Sequence, residues 1–192
     1  MSALSIALIV GAVGLLGYPL YTNLYQDYRQ GELRHQLLTP RLRQQYVTHT
    51  VAVGDSLTRL KIPSLGVDVV VVEGTTTSAL RAGAGHYPDT PLPCDYGNVA
   101  IAGHRTTYGK PFNQIDRLKP GDDIVLTTPI GTCDYKVAKD PFVVLPNDFT
   151  VVAPPEDPSA RWLTLTSCHP KGSASHRIVV RATYSSGTLA TE

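Results

Sequence analysis

The chain is short of charge, of cysteine and of the larger aromatics, and each shortage closes off a class of protein. Charged residues make up 17% of the 192, against a usual quarter, and 17 Lys and Arg face 16 Asp and Glu for a formal net charge of +1. A nucleic-acid binder that works through bulk charge needs surplus Lys and Arg to neutralise phosphates, and no surplus, acidic tail or basic tail is present. No nucleic-acid partner is expected. Three cysteines with no Cys-x-x-Cys pair and long spacings argue against a structural zinc site, so no metal is expected. One Trp and three Phe stand beside ten Tyr, so most rings carry a hydroxyl that wants water or a partner. What is there, 42% apolar residues with 16 Gly and 15 Pro, excludes disorder and collagen. It describes one loop-rich, mainly β domain with a modest core and no internal repeat.

One long apolar run stands apart from that average. Residues 3–20 contain no charge and only Ser5 and Tyr18 as polar side chains, about the length needed to cross a bilayer. A cleaved signal peptide would want basic residues before the run and a small-x-small site after it. Here Met1-Ser2 precedes and Gly17-Tyr18-Pro19 follows, so residues 1–20 read as an uncleaved transmembrane anchor. Tyr18, Tyr21 and Tyr25 fall where an aromatic belt would sit at the headgroups. Arg29 and Arg34 balance Asp27 and Glu32, so flanking charge leaves the orientation open. Residues 21–49 read as a juxtamembrane helix and linker. Its scattered apolar positions are Leu24, Tyr28, Leu33, Leu37 and Leu38, and Thr39-Pro40 breaks it.

From residue 50 the texture changes to short β-branched runs between Gly, Pro and Asp. Candidate strands are 57–62, 67–72, 98–102, 123–127, 134–138, 142–144, 162–166 and 177–184, with short helical patterns at 75–80 and 112–118. Eight strands at short spacing with few helices predict a closed or nearly closed, antiparallel-rich barrel over 50–186, followed by a tail at 187–192.

Cys168 closes the strand-like Trp162-Leu163-Thr164-Leu165-Thr166-Ser167 and precedes His169-Pro170, which puts a thiol at a strand end where a loop begins. A nucleophile meets substrate at such an edge, and a thiol needs a cation or base beside it to be reactive at neutral pH. His104 follows the apolar Val99-Ala100-Ile101-Ala102-Gly103, and Arg177 opens the last strand. Taken singly, a cysteine is packing, a histidine surface or core, and an arginine solvated. Taken together, an imidazole, a thiol and a guanidinium lie at three strand ends. His169 and His176 are decoys, since neighbours on an extended chain point to opposite faces; His35, His49 and His86 carry no motif.

In order and spacing, Gly97-Asn98-Val99-Ala100-Ile101-Ala102-Gly103-His104-Arg105, Leu163-Thr164-Leu165-Thr166-Ser167-Cys168 and Arg177 resemble a sortase, the membrane-anchored cysteine transpeptidases of Gram-positive bacteria. The resemblance covers roughly 51–184. Gly103-His104-Arg105-Thr106-Thr107-Tyr108-Gly109 and Cys168-His169-Pro170 look most like the class E branch of actinobacteria. It implies an eight-stranded sortase-type β-barrel, a cytoplasmic amino end and a catalytic domain outside the membrane. The implied reaction cleaves a C-terminal sorting motif, Leu-Ala-x-Thr-Gly or Leu-Pro-x-Thr-Gly, and transfers the protein to an amine on a peptidoglycan precursor or a pilin lysine, with no cofactor. Cys168 is then the nucleophile, His104 the general acid and base, and Arg177, which never gives up its proton, the group that steadies the oxyanion.

By the same resemblance Thr106, Thr107 and Tyr108 line the substrate. The Tyr108 hydroxyl is placed to bond a backbone N–H that Ala has and Pro lacks, the competing reading being that it packs against its own loop. A domain outside the cell also lets Cys94 and Cys133 form a disulfide at loops or strand edges, clear of the core, unless they are two separated loop thiols. Two rivals stand beside this reading. An L,D-transpeptidase carries its His just before the thiol, where Thr166-Ser167 stand here; a non-catalytic metal-binding surface protein would need all three cysteines as ligands.

Overall fold

Alternation of apolar and polar side chains, with period two, curls this chain into a closed sheet. The computed structural model describes residues 2–189; Met1 and 190–192 lie outside the described residues. The strands are β1 (Ser56–Ile62), β2 (Val67–Glu73), β3 (Ala84–His86), β4 (Gly97–Ala102), β5 (Asp123–Thr128), β6 (Gly131–Val137), β7 (Phe142–Val144), β8 (Arg161–His169) and β9 (His176–Leu189). Eight of them form the ring β6-β5-β1-β2-β3-β4-β8-β9, which the β6–β9 pairing closes into a barrel. The ninth, β7, lies outside the ring and pairs only with the start of β9. Most neighbours are antiparallel; β2–β3 and β4–β8 are parallel. The inside is filled by alternate residues, among them Leu60, Ile62, Val69, Val71, Val99, Ile101, Ile124, Leu126, Leu163, Leu165, Ile178 and Val180.

The ring's eight members are not the eight candidate strands. The sequence reading counts 142–144, which is β7, and misses β3. Ala84-Gly85-His86 has no β-branched residue to signal a strand, and its Gly85 is needed because a Cβ there would collide with the Gly74 carbonyl. The helical pattern at 112–118 is also reduced, to one 3-10 turn at Ile115–Arg117. Phe112, Ile115 and Leu118 are all buried, a spacing of three that suits a 3-10 turn rather than an α-helix. At the carboxyl end β9 runs beyond 186, pairing Gly187 with Cys133, Thr188 with Thr132 and Leu189 with Gly131.

A single helix, α1 (Ala3–Gln36), unites the apolar run and the polar stretch after it on one axis. It is long and apolar enough to cross a bilayer, and none of its apolar window is buried against the barrel. Its second half is docked: Thr22, Gln26, Gln30 and Leu33 are buried. Val69 to Val72 are buried on both faces of β2, the odd pair toward the barrel interior and Val70 and Val72 in a second cluster with Leu33, Ala79 and Ala82. The Gln30 amide joins the helix to β2 and to the end of the short helix Thr77–Ala82, donating to Val70 O (3.1 Å) and Ala82 O (2.8 Å) and accepting from Val70 N–H (2.6 Å). Gln36 does the same one turn and a half later, accepting from Ser56 N–H (3.1 Å). The chain breaks at Thr39, whose hydroxyl caps α2 (Pro40–Val47).

Cys94 and Cys133 are joined by a disulfide, with Cα atoms 5.7 Å apart. It is not peripheral. Both cysteines are buried in the main core, where the bridge ties β6 to the loop before β4. The hydroxyl of Tyr46, at the end of α2, donates to the neighbouring Pro93 O at 2.5 Å.

Candidate active site

Three adjacent strands, β4, β8 and β9, carry the site on the outer surface of the barrel. Val99, Ile101, Leu163, Leu165, Ile178 and Val180 face inward, so the intervening Ala102, Thr166, Cys168, Arg177 and Val179 face out. Cys168 on β8 pairs directly with Arg177 on β9, and opposed residues of that kind hold their Cβ atoms about 4.5–5.5 Å apart. On the other side β4 runs parallel to β8 with Ala102 opposite Thr166. Gly103 N–H donates to Thr166 O (3.1 Å) and Ser167 Oγ donates to Gly103 O (2.6 Å), so the register continues past the end of β4. It brings His104 level with Cys168. Register alone thus lines up Arg177 on β9, Cys168 on β8 and His104 just past the end of β4, all half-buried. His169 and His176 pair with each other one position further and face the opposite way.

Half of this outer surface is closed. Asn98 Nδ2 donates to Val151 O (3.1 Å) and Ala153 O (2.9 Å), and Arg181 Nη2 to Val151 O (2.8 Å), so the turn Phe149–Val152 covers the far end. The open half is bounded by Tyr87, whose hydroxyl bonds Thr166 Oγ1 at 3.0 Å. Behind Tyr87 the buried His86 is held by Glu73 Oε2 (2.9 Å) and donates through Nε2 to Pro91 O (2.9 Å), which fixes the start of that loop.

The loop after β4 is equally fixed. A Cβ on Gly103 would stand 2.5 Å from the Phe112 ring, so only glycine lets Phe112 pack beneath His104. Phe112 N–H donates to His104 O (3.2 Å), Asn113 Nδ2 to Arg105 O (2.8 Å), and the buried Arg105 pairs with Asp116 at 2.8 Å. Sequence reasoning passes over Asn113 and Asp116, which carry no motif. It quotes Arg105 in the motif without seeing that it turns inward.

Thr106 is exposed, and Thr107 and Tyr108 are half-buried on the outer turn of this loop. The Tyr108 ring lies 5.3 Å from the His104 ring, with Arg81 over its face at 5.5 Å. Arg177 donates through Nη1 to Ala174 O (3.1 Å) and His176 O (3.0 Å), so the β8–β9 loop sets its position. Among the described residues its Nη2 and Nε have no protein partner. Cys168 is the free cysteine, and with Cys94 and Cys133 bonded to each other a three-cysteine metal site cannot form.

Burial lowers the His104 pKa below the usual histidine value, and the Arg81 charge lowers it further. The neutral imidazole is therefore the resting form at neutral pH. Arg81→Gln removes the second cause and is expected to move the His104 titration up toward the ordinary histidine range. Histidine NMR resonances followed against pH check it; an unmoved midpoint contradicts the assigned cause.

The fold and this row of side chains define a class: a closed β-barrel with a thiol, an imidazole and a guanidinium side by side on its outer face. The chain belongs to the sortase family, whose sortase-domain model matches residues 60–185. It is 35% identical over 139 residues to sortase SrtE1 of Streptomyces coelicolor, covering 66% of this chain and 40% of that protein. It is 30% identical over 124 residues to sortase D of Bacillus subtilis, covering 63% of this chain and 60% of that one. The chain thus spans only 40% to 60% of the length of these curated relatives. Among solved structures, sortase E from Streptomyces avermitilis matches with TM-score 0.66 and 36% identity over 72% of this chain and 93% of that one. The SrtF sortase from Corynebacterium diphtheriae matches with TM-score 0.69 and 29% identity over 74% and 90%.

Proposed function

We propose that this protein is a membrane-anchored cysteine transpeptidase. It cleaves a C-terminal sorting motif of the Leu-Ala-x-Thr-Gly or Leu-Pro-x-Thr-Gly type between Thr and Gly, then joins the protein to an amine on a peptidoglycan precursor or a pilin lysine. The observation that carries this reading is the register that pairs Cys168 on β8 with Arg177 on β9 and runs from β4 through Gly103 to His104 beside them.

The chemistry follows from those three groups. Neutral His104 takes the Cys168 proton as the sulfur attacks the Thr carbonyl carbon, and the S–C bond forms. The Arg177 guanidinium, with Nη2 and Nε unengaged by the protein, steadies the negative oxygen. The C–N bond then breaks, His104 returns the proton to the departing Gly amine, and a thioester remains. An incoming amine gives its proton to His104 and attacks the thioester; the sulfur leaves and takes that proton back. The reaction faces the cell exterior, with the amino end of α1 in the cytoplasm. The Cys94–Cys133 disulfide supports that orientation, because such bonds persist in oxidising compartments and are rare in the cytoplasm.

The test is full-length protein in detergent micelles, given paired Leu-Ala and Leu-Pro sorting peptides with and without an amine acceptor. Amine-dependent joined products in the mass spectrum support the reading, and intact peptides contradict it. The same assay reads Tyr108. If its hydroxyl selects Ala, Tyr108→Phe weakens the Leu-Ala preference by one hydrogen bond, about 0.5–1.5 kcal/mol or a few-fold to about tenfold. An unchanged ratio of the two peptides means that Tyr108 packs only.

A further inference from the structure

The turn beside His104 is left-handed at three consecutive residues: Tyr108 (φ 49°), Gly109 (φ 67°) and Lys110 (φ 42°). Only the glycine adopts that region freely, and two side-chain-bearing residues there persist when the surroundings over-determine them. Within the turn itself, Lys110 N–H donates to Thr107 O (2.9 Å). Asn113 N–H donates to Lys110 O (3.0 Å) and Arg81 lies over the Tyr108 ring (5.5 Å); the other support comes from α1, far away in sequence.

Gly109 N–H donates to Asn23 Oδ1 at 3.2 Å, across 86 residues. A Cβ on Gly109 would overlap Gln26 Oε1, so the helix face and the turn are packed backbone to side chain. The Tyr25 ring meets the Tyr108 ring edge-on at 6.4 Å, and Tyr108 meets His104 at 5.3 Å. A continuous line of contact thus runs from the membrane helix to the imidazole. The helix is independently pinned further along, by Gln30 on Val70 and Ala82 and by Gln36 on Ser56. Its docking therefore does not rest on Asn23 alone.

We infer that Asn23 is a positioning residue for the reaction: α1 is a wall of the active site, and its amide holds the Thr107–Lys110 turn in the shape that orients Tyr108 and His104. The inference rests on the reading of His104 as the acid and base. It also gives the anchor a second duty, since Asn23 lies within one helical turn of the end of the apolar run at Leu20. The membrane span fixes the height of the row His104, Cys168 and Arg177 as well as tethering the barrel.

Full-length protein in lipid nanodiscs carries the test, with Asn23→Leu, which keeps the size and loses the acceptor, and Asn23→Asp, which keeps the acceptor oxygen. The expected result is a kcat about three- to tenfold lower for Asn23→Leu with the melting temperature retained. The His104 ring resonance, shifted by the Tyr108 ring current, is expected to move in the same variant. Asn23→Asp restores both. Wild-type kcat and an unmoved His104 resonance in Asn23→Leu overturn the inference alone, provided that Cys168→Ala is dead in the same assay. Equal loss in both variants with lowered melting also overturns it, as simple undocking. A Cys168→Ala protein that still turns over overturns the transpeptidase reading, and the inference with it.

Discussion

Cys168→Ala is expected to abolish both thioester formation and transfer to an amine, because no other described thiol is free to attack. Arg177→Lys is expected to lose roughly 10²-fold in turnover, about the cost of one oxyanion-hole donor. An ammonium keeps the charge but lacks the planar fork, which can grip loop carbonyls with one nitrogen and the substrate oxygen with the others. His104→Ala removes the proton carrier and is expected to cost about 10²–10⁴-fold, while leaving a thiol that iodoacetamide still alkylates. His176 is the informative control. It faces away from Cys168 across the same strand pair, so His176→Ala should retain turnover. A dispensable His104 beside an essential His176 would contradict the site, as would turnover in Cys168→Ala.

The second large effect concerns stability. The Cys94–Cys133 bridge closes a loop across 39 residues, for which the chain-entropy relation gives about 3–4 kcal/mol. That is a large share of the stability of one small domain. The paired substitution Cys94→Ala with Cys133→Ala is expected to lower the unfolding free energy by about that amount and to make it insensitive to reductant. Single alanine substitutions would leave a new free thiol near the core and are less clean. Thiol titration of the denatured, unreduced chain reads the bond directly: one free thiol agrees with the bridge, and three contradict it.

Much of the barrel is legible in the sequence, because its strands follow the period of two and their inward residues are Val, Ile and Leu. The candidate site is legible for a related reason. Cys168 and Arg177 lie at the ends of β8 and β9 and His104 just past the end of β4, places where a barrel leaves side chains accessible. What escapes the sequence is made by backbone rather than pattern. β3 is three residues of Ala, Gly and His, recruited because Gly85 fits against the Gly74 carbonyl. The docking of α1 escapes for the same cause. Hydropathy finds few apolar positions in 21–36 and reads a spacer, yet the helix binds through Asn23, Gln30 and Gln36, whose amides pair with backbone groups of the barrel. The disulfide lies deeper than its loop-like flanks suggest, since Cys133 sits on an inward position of β6.

The covalent intermediate is the most direct evidence that Cys168 is the nucleophile. Full-length protein is incubated with a Leu-Ala-x-Thr-Gly peptide and no amine, then denatured in acid and weighed intact. The expected result is an adduct equal to the peptide through Thr, less one water, that hydroxylamine releases and that fragmentation places on Cys168. No adduct with either sorting peptide, or an adduct on any other residue, would contradict it.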